Sequence, residues 1–147
     1  MRKIKFRAWQ ESAQKGLQMW SWEEMQECAD NFFDNPKYEL MQFSGLKDRN
    51  GQEIFEGDIV KQEYVKVISS HYDPVTLGFE GEETEEGHHI GVVVILASKG
   101  VCMKKPLRFA LDAEEPEVSN QYKNVASYRC EVIGNIYENP DLLEVKT

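Results

Sequence analysis

Apolar and polar residues alternate from the start of the chain. Ile4, Phe6 and Ala8 fall on one side of a period-two pattern, and Lys3, Lys5 and Arg7 on the other, which predicts a half-buried strand. The polar stretch Glu11 to Gly16 reads as a turn, after which Leu17-Gln18-Met19-Trp20 returns as a short strand. Ser21-Trp22-Glu23-Glu24 then has the spacing of a capping box, in which a serine hydroxyl and a glutamate three residues on exchange backbone hydrogen bonds. Trp22, Met25, Ala29 and Phe32 or Phe33 follow at near-helical intervals, so a helix is expected over 22–33, stopped by Asp34-Asn35-Pro36, its aromatic and Met stripe facing the core.

The middle of the chain is strand and turn. Glu39 to Phe43 predicts a strand, Asn50-Gly51 a tight turn, Gln52 to Phe55 a second strand and Glu56-Gly57-Asp58 another turn. Ile59 to Ser69 reads as a long strand whose mixed pattern implies partial cover on both faces, or a bulge. From about 71 to 89 there is little to bury, and five glutamates fall within positions 80–86, so an exposed acidic loop or hairpin tip is expected. Ile90 to Ala97 is a β-branched run suited to a central strand. Val101 to Met103 and Leu107 to Leu111 continue the β pattern across Pro106, 112–120 is a second acidic stretch, and a last strand region spans 125–137. Asn139 to Leu143 resembles one helical turn with proline near its start. About seven strands and one short N-terminal helix, with no linker or repeat, predict a single mainly β domain over 1–147. A small barrel- or sandwich-like antiparallel architecture is expected, with α+β as the alternative.

Composition narrows the function classes. With 147 residues and 16 aromatics the chain can build a core, and no apolar run reaches the ~18 residues of a membrane span. The N-terminus lacks the apolar stretch of a secretory signal, and Cys28, Cys102 and Cys130 suit reduced cysteines in a cytoplasmic protein. A net charge of −9 argues against general binding to nucleic-acid phosphates. Glu80, Glu82, Glu83, Glu85 and Glu86, with Asp112, Glu114, Glu115 and Glu117, form two stretches without a base, while the remaining 17 acids meet 17 bases. Arg2, Lys3, Lys5 and Arg7 could line one face of the first strand, a pattern that suits a protected sheet edge better than a nucleic-acid surface.

Catalytic signatures are sparse. The phosphate-cradling GxxxxGK[ST] and GxGxxG patterns are missing, as is the G-x-S-x-G elbow, and no cofactor is expected. Asp48-Arg49-Asn50-Gly51 lacks the further ligands of a calcium loop and reads as a turn. His88 and His89, beside Glu85 and Glu86, are weak metal candidates, because neighbouring residues in a strand point to opposite faces. Nearby carboxylates would raise a histidine's pKa. Glu56, Asp58 and Glu131 are the carboxylates to consider for acid–base work, with a turn role preferred for Asp58.

Three segments resemble the YopX family of bacteriophage and prophage proteins: Ile4 to Trp9, Met41 to Val60 (Met-Gln-Phe-Ser-Gly-Leu-Lys-Asp-Arg-Asn-Gly-Gln-Glu-Ile-Phe-Glu-Gly-Asp-Ile-Val) and Val132 to Leu143. The resemblance implies a β-rich phage-encoded protein of the bacterial cytoplasm, and it brings over no catalytic residue. Residues 10–38 and 61–125 show no such match. The expected function is a non-enzymatic binding or assembly module, with a host or phage protein, or a second copy, as partner. Glu80, Glu82, Glu83, Glu85 and Glu86 are its candidate partner-binding residues. An acidic decoy for a DNA-binding host enzyme and a metal-dependent hydrolase at His88 and His89 are the alternatives.

Overall fold

The computed structural model describes residues 4–12, 16–28 and 31–144. Arg2 and Lys3 of the basic pattern, the turn residues 13–15 and Ala29 of the expected helix lie outside them. Among the described residues there are ten strands: β1 (Phe6–Ser12), β2 (Gly16–Trp20), β3 (Tyr38–Lys47), β4 (Glu53–Phe55), β5 (Asp58–Tyr72), β6 (Phe79–Leu96), β7 (Gly100–Ala110), β8 (Glu117–Val118), β9 (Lys123–Asn124) and β10 (Cys130–Asn135). They form two antiparallel sheets. One has the order β2-β1-β3-β4, and the other runs β10-β5-β6-β7-β8 with β9 also on β7. The mainly β expectation is met, with more strands than the pattern announced and with β3, β5 and β6 running longer than expected.

The helix α1 (Trp22–Glu27) starts as its sequence requires: the Ser21 hydroxyl accepts from Glu24 N–H and the Glu24 carboxylate accepts from Ser21 N–H, both at 3.2 Å. It ends well short of Phe33, which corrects the expected 22–33 span. Beyond it the aromatics serve loop packing. Phe32 lies 4.4 Å from Tyr38 and 5.3 Å from Trp20, and Phe33 meets Phe6 edge-on at 5.4 Å. Ala8, Met25, Phe32 and Tyr38 form the core on that side of the first sheet, while Trp9, Met41, Phe43 and Phe55 form it on the other.

Strand β1 is interior, flanked by β2 and β3, which overturns its reading as an edge. The two described bases of the N-terminal pattern are paired internally: Lys5, just before β1, with Glu53 at 2.5 Å and Arg7 with Asp58 at 2.6 Å. The second pair ties the sheets together, because Arg7 belongs to one and Asp58 opens the longest hairpin of the other. The stretch 41–60 spans the junction of the two sheets. Gly57 adopts φ +83° between β4 and β5, a conformation side chains disfavour, and its N–H reaches Val93 O at 3.0 Å while its own O accepts from Ile136 N–H at 2.9 Å. The third core cluster, Ile54, Val60, Val93, Met103 and Cys130, sits where these elements meet.

Strand β7 runs unbroken through Pro106 because the proline falls in a bulge: Ile90 opposes Leu107 but Val92 opposes Lys104. Gly134 lies at the β10–β5 bulge under Asn139, whose Oδ1 would stand 2.6 Å from any Cβ placed there. The expected last helical turn is a 3₁₀ turn, Pro140–Leu143.

Candidate functional site

The sequence-derived chemistry disperses once folded. Asp48 accepts from the backbone N–H groups of Asn50 and Gln52 at 2.9 Å and of Val132 at 3.0 Å. Burial pushes its pKa up, but those three amides outweigh it and hold the carboxyl below its ordinary value. Its oxygens therefore build the turn, as the sequence reading held, and fasten it to β10. Asp58 likewise takes a turn role, accepting Phe55 N–H at 2.8 Å. Burial raises its pKa despite the opposing pull of Arg7. Glu56 accepts Gln42 N–H at 3.0 Å, and Glu131 pairs with Arg49 at 2.9 Å. Each of the three carboxylates considered for acid–base work is thus committed to a different structural partner. Cys102 and Cys130 are buried and Cys28 partly so, all free; burial pushes the Cys130 thiol up to about 11.

His88 and His89 belong to β6 and have separate surroundings. His88 stacks on Phe109 at 4.8 Å, with Glu63 its cross-strand neighbour in β5, while buried His89 packs against Tyr64 at 4.7 Å. Both pKa values are lowered, opposite to the expected effect of neighbouring glutamates. Desolvation is the leading cause for each; Lys61 adds to it at His88, and Lys123 and Arg108 at His89, whose value falls to about 4. Among the described residues no group of three or more His, Cys, Asp or Glu is placed to hold a metal. On the His89 face, Tyr64 donates its hydroxyl to Glu85 at 2.7 Å and is pushed up to about 12, by burial first and by that carboxylate second. Arg108 lies 3.5 Å from Glu85 and 2.5 Å from Glu117.

The region expected as an acidic loop at 71–89 is mostly strand, and only residues 73–78 turn. Of the two readings offered for it, the hairpin is the one observed. The strands around it stop early: β10 pairs with β5 no further than Gln62, and β7 with β6 only as far as Gly87, whereas β5 and β6 pair on to Tyr72 and Phe79. Residues from about 64 to 86 therefore form a two-stranded arm projecting from the body. The mixed pattern of β5 now has two explanations. At its base Ile59 and Val60 are both buried, as partial cover on two faces requires. Along the arm both faces are open, with a bulge between Val67 and Ser69.

Val65, Val67 and Ile68 are 66, 49 and 56% exposed, and Tyr72, Val75, Leu77 and Phe79 at the tip are 58–88% exposed. Residues directly opposite share a face, so Val65 and Val67 lie with Glu86 and Thr84. By alternation Glu82 joins them, while Glu83 and Glu85 point to the other side. The candidate binding glutamates are therefore divided between two faces, and three of them are engaged: Glu85 with Tyr64 and Arg108, Glu83 with His71 at 3.7 Å, and Glu80 with Asp73. The apolar arm residues escaped sequence reasoning. Their β-branched composition was visible, but the early ends of β7 and β10, which uncover them, were not.

This geometry defines a β-rich domain of two sheets joined by a buried ion pair, bearing an exposed hairpin arm. The sequence profile of the YopX protein family matches residues 5–144, so the chain belongs to that family. A crystal structure of protein EF1440 from Enterococcus faecalis is similar at 21% identity, covering 98% of this chain and 100% of that one, with a TM-score of 0.41. No curated protein matches. No helix among the described residues is long and apolar enough to cross a membrane.

Proposed function

We propose that this protein is a non-enzymatic binding or assembly module, encoded by a phage or prophage and acting in the bacterial cytoplasm, with the β5–β6 arm as its contact surface. The observation that carries this reading is the cluster of large apolar side chains left uncovered on a projecting ribbon: Val65, Val67, Ile68, Tyr72, Val75, Leu77 and Phe79. Large apolar side chains exposed together on one element mark interaction sites in folded proteins. The residues that resemble the family motif support a scaffold role, since Asp48, Gly57, Asp58 and Gly134 are engaged in turns, bulges and the sheet junction. The acidic-decoy alternative draws less support, because it needs carboxylates aligned on one surface and here they are split between faces.

The test is an arm excision in which Tyr64 and Gly87, a directly opposed pair, are joined through Asn-Gly. The variant is expected to keep cooperative thermal unfolding, since no core cluster draws on the removed residues. Both self-association and co-purification of partners from the bacterial host are expected to be lost. A folded, excised protein that retains every association of the wild type would sink the reading.

A further inference from the structure

The two long edges of the arm are chemically unlike. Along β6 the outer edge carries Glu80, Glu82, Glu83, Glu85 and Glu86. Along β5 residues 64–72 include no acid, with Lys66 and His71 the basic residues among Tyr64, Val65, Val67, Ile68 and Tyr72. The outer edge of β5 is also open. β10 covers it only up to Gln62, after which Arg129 reaches Glu63 O at 3.5 Å. That bond shows the Glu63 carbonyl facing outward. Because outward and inward backbone groups alternate in an antiparallel strand, the N–H and C=O of Val65 and Val67 face outward too, up to the bulge at Ile68.

Resting on the reading of the arm as the contact surface, we infer that its occupant is a second copy of this chain, joined antiparallel through the β5 edge so that two arms make one four-stranded sheet. Charge selects this edge and this partner. Pairing through β6 would set glutamate against glutamate. Pairing through β5 keeps the two acidic strands outermost, three strand spacings of ~4.8 Å apart, well beyond the ~8 Å screening length at physiological salt. The same arrangement satisfies the outward backbone groups of Val65 and Val67 and brings the four valines of two arms onto continuous faces. It also converts a two-stranded ribbon, marginal by itself in water, into a sheet of four strands.

Sedimentation velocity on the full chain, across concentration and salt, tests this directly. The wild type is expected to form a dimer that strengthens with added salt, because the acidic strands repel one another. Val67→Pro removes an outward N–H and is expected to weaken the dimer by about tenfold or more in Kd. The combined variant Glu82→Gln, Glu83→Gln, Glu85→Gln and Glu86→Gln leaves the backbone edge intact and is expected to tighten it. A wild type that stays monomeric at high concentration and high salt overturns the inference, while host partners lost on arm excision would still support the proposed function. A dimer indifferent to Val67→Pro, or weakened by neutralising the glutamates, overturns it as well, since the contact would then lie elsewhere or run through the acids.

Discussion

Arg7 and Asp58 show how much depends on single side chains here. The Asp58 carboxylate is 1% exposed and Arg7 13%, at 2.6 Å, with Arg7 also 4.8 Å above the Phe55 ring. Removing one member of such a pair leaves the other charge buried without compensation, so Arg7→Met is expected to destabilise the fold by about 3–5 kcal/mol, measured by urea unfolding at pH 7. If the variant unfolds at the wild-type midpoint, the pair does not join the sheets as described. His89 supplies a second expectation. Its folded-state pKa of about 4 lies below the ordinary 6.5, so the unfolded chain binds a proton that the folded one refuses. The stabilising effect of neutral His89 is complete above pH 6.5 and is lost as pH falls from 6.5 towards 4, by on the order of 3 kcal/mol. His88 contributes in the same direction. Urea unfolding of wild type and His89→Phe at pH 7 and pH 4.5 is expected to show a smaller acid loss in the variant; equal losses would place the titration elsewhere.

Among elements, the arm and the helix are the instructive cases. The helix start was legible because a capping box is a local device, satisfied within four residues. Its end was not. Phe32 and Phe33 keep helical spacing in sequence but gain more by packing on Tyr38, Trp20 and Phe6, and a six-residue helix has little intrinsic stability to resist that. The arm follows the reverse logic, with long strands whose local propensity survives without cover. Its amides are expected to exchange in two tiers. Residues 65–86 should exchange much faster than 58–62 and 90–94, whose strands have neighbours on both sides. Hydrogen exchange read by mass spectrometry checks this in dilute protein, where the arm is unpaired; uniform protection along β5 and β6 would contradict the free ribbon.

For the molecule as a whole, the acidity noted in the sequence acquires a place. Five of the acids lie along β6 and Glu117 lies in β8, while Asp112, Glu114 and Glu115 stand exposed in the turn between β7 and β8. The sequence by itself determined the β-rich class, the turns at Asp48–Gly51 and Glu56–Asp58, the helix start and the family, because each rests on residues close together in the chain. Only the tertiary structure decided that β1 is interior, that His88 and His89 are neutral and apart, and that β5 and β6 outrun their neighbours. Those features depend on where other strands end and on which charges and rings pack against one another, and such relations between distant residues leave no periodicity in the chain to be read.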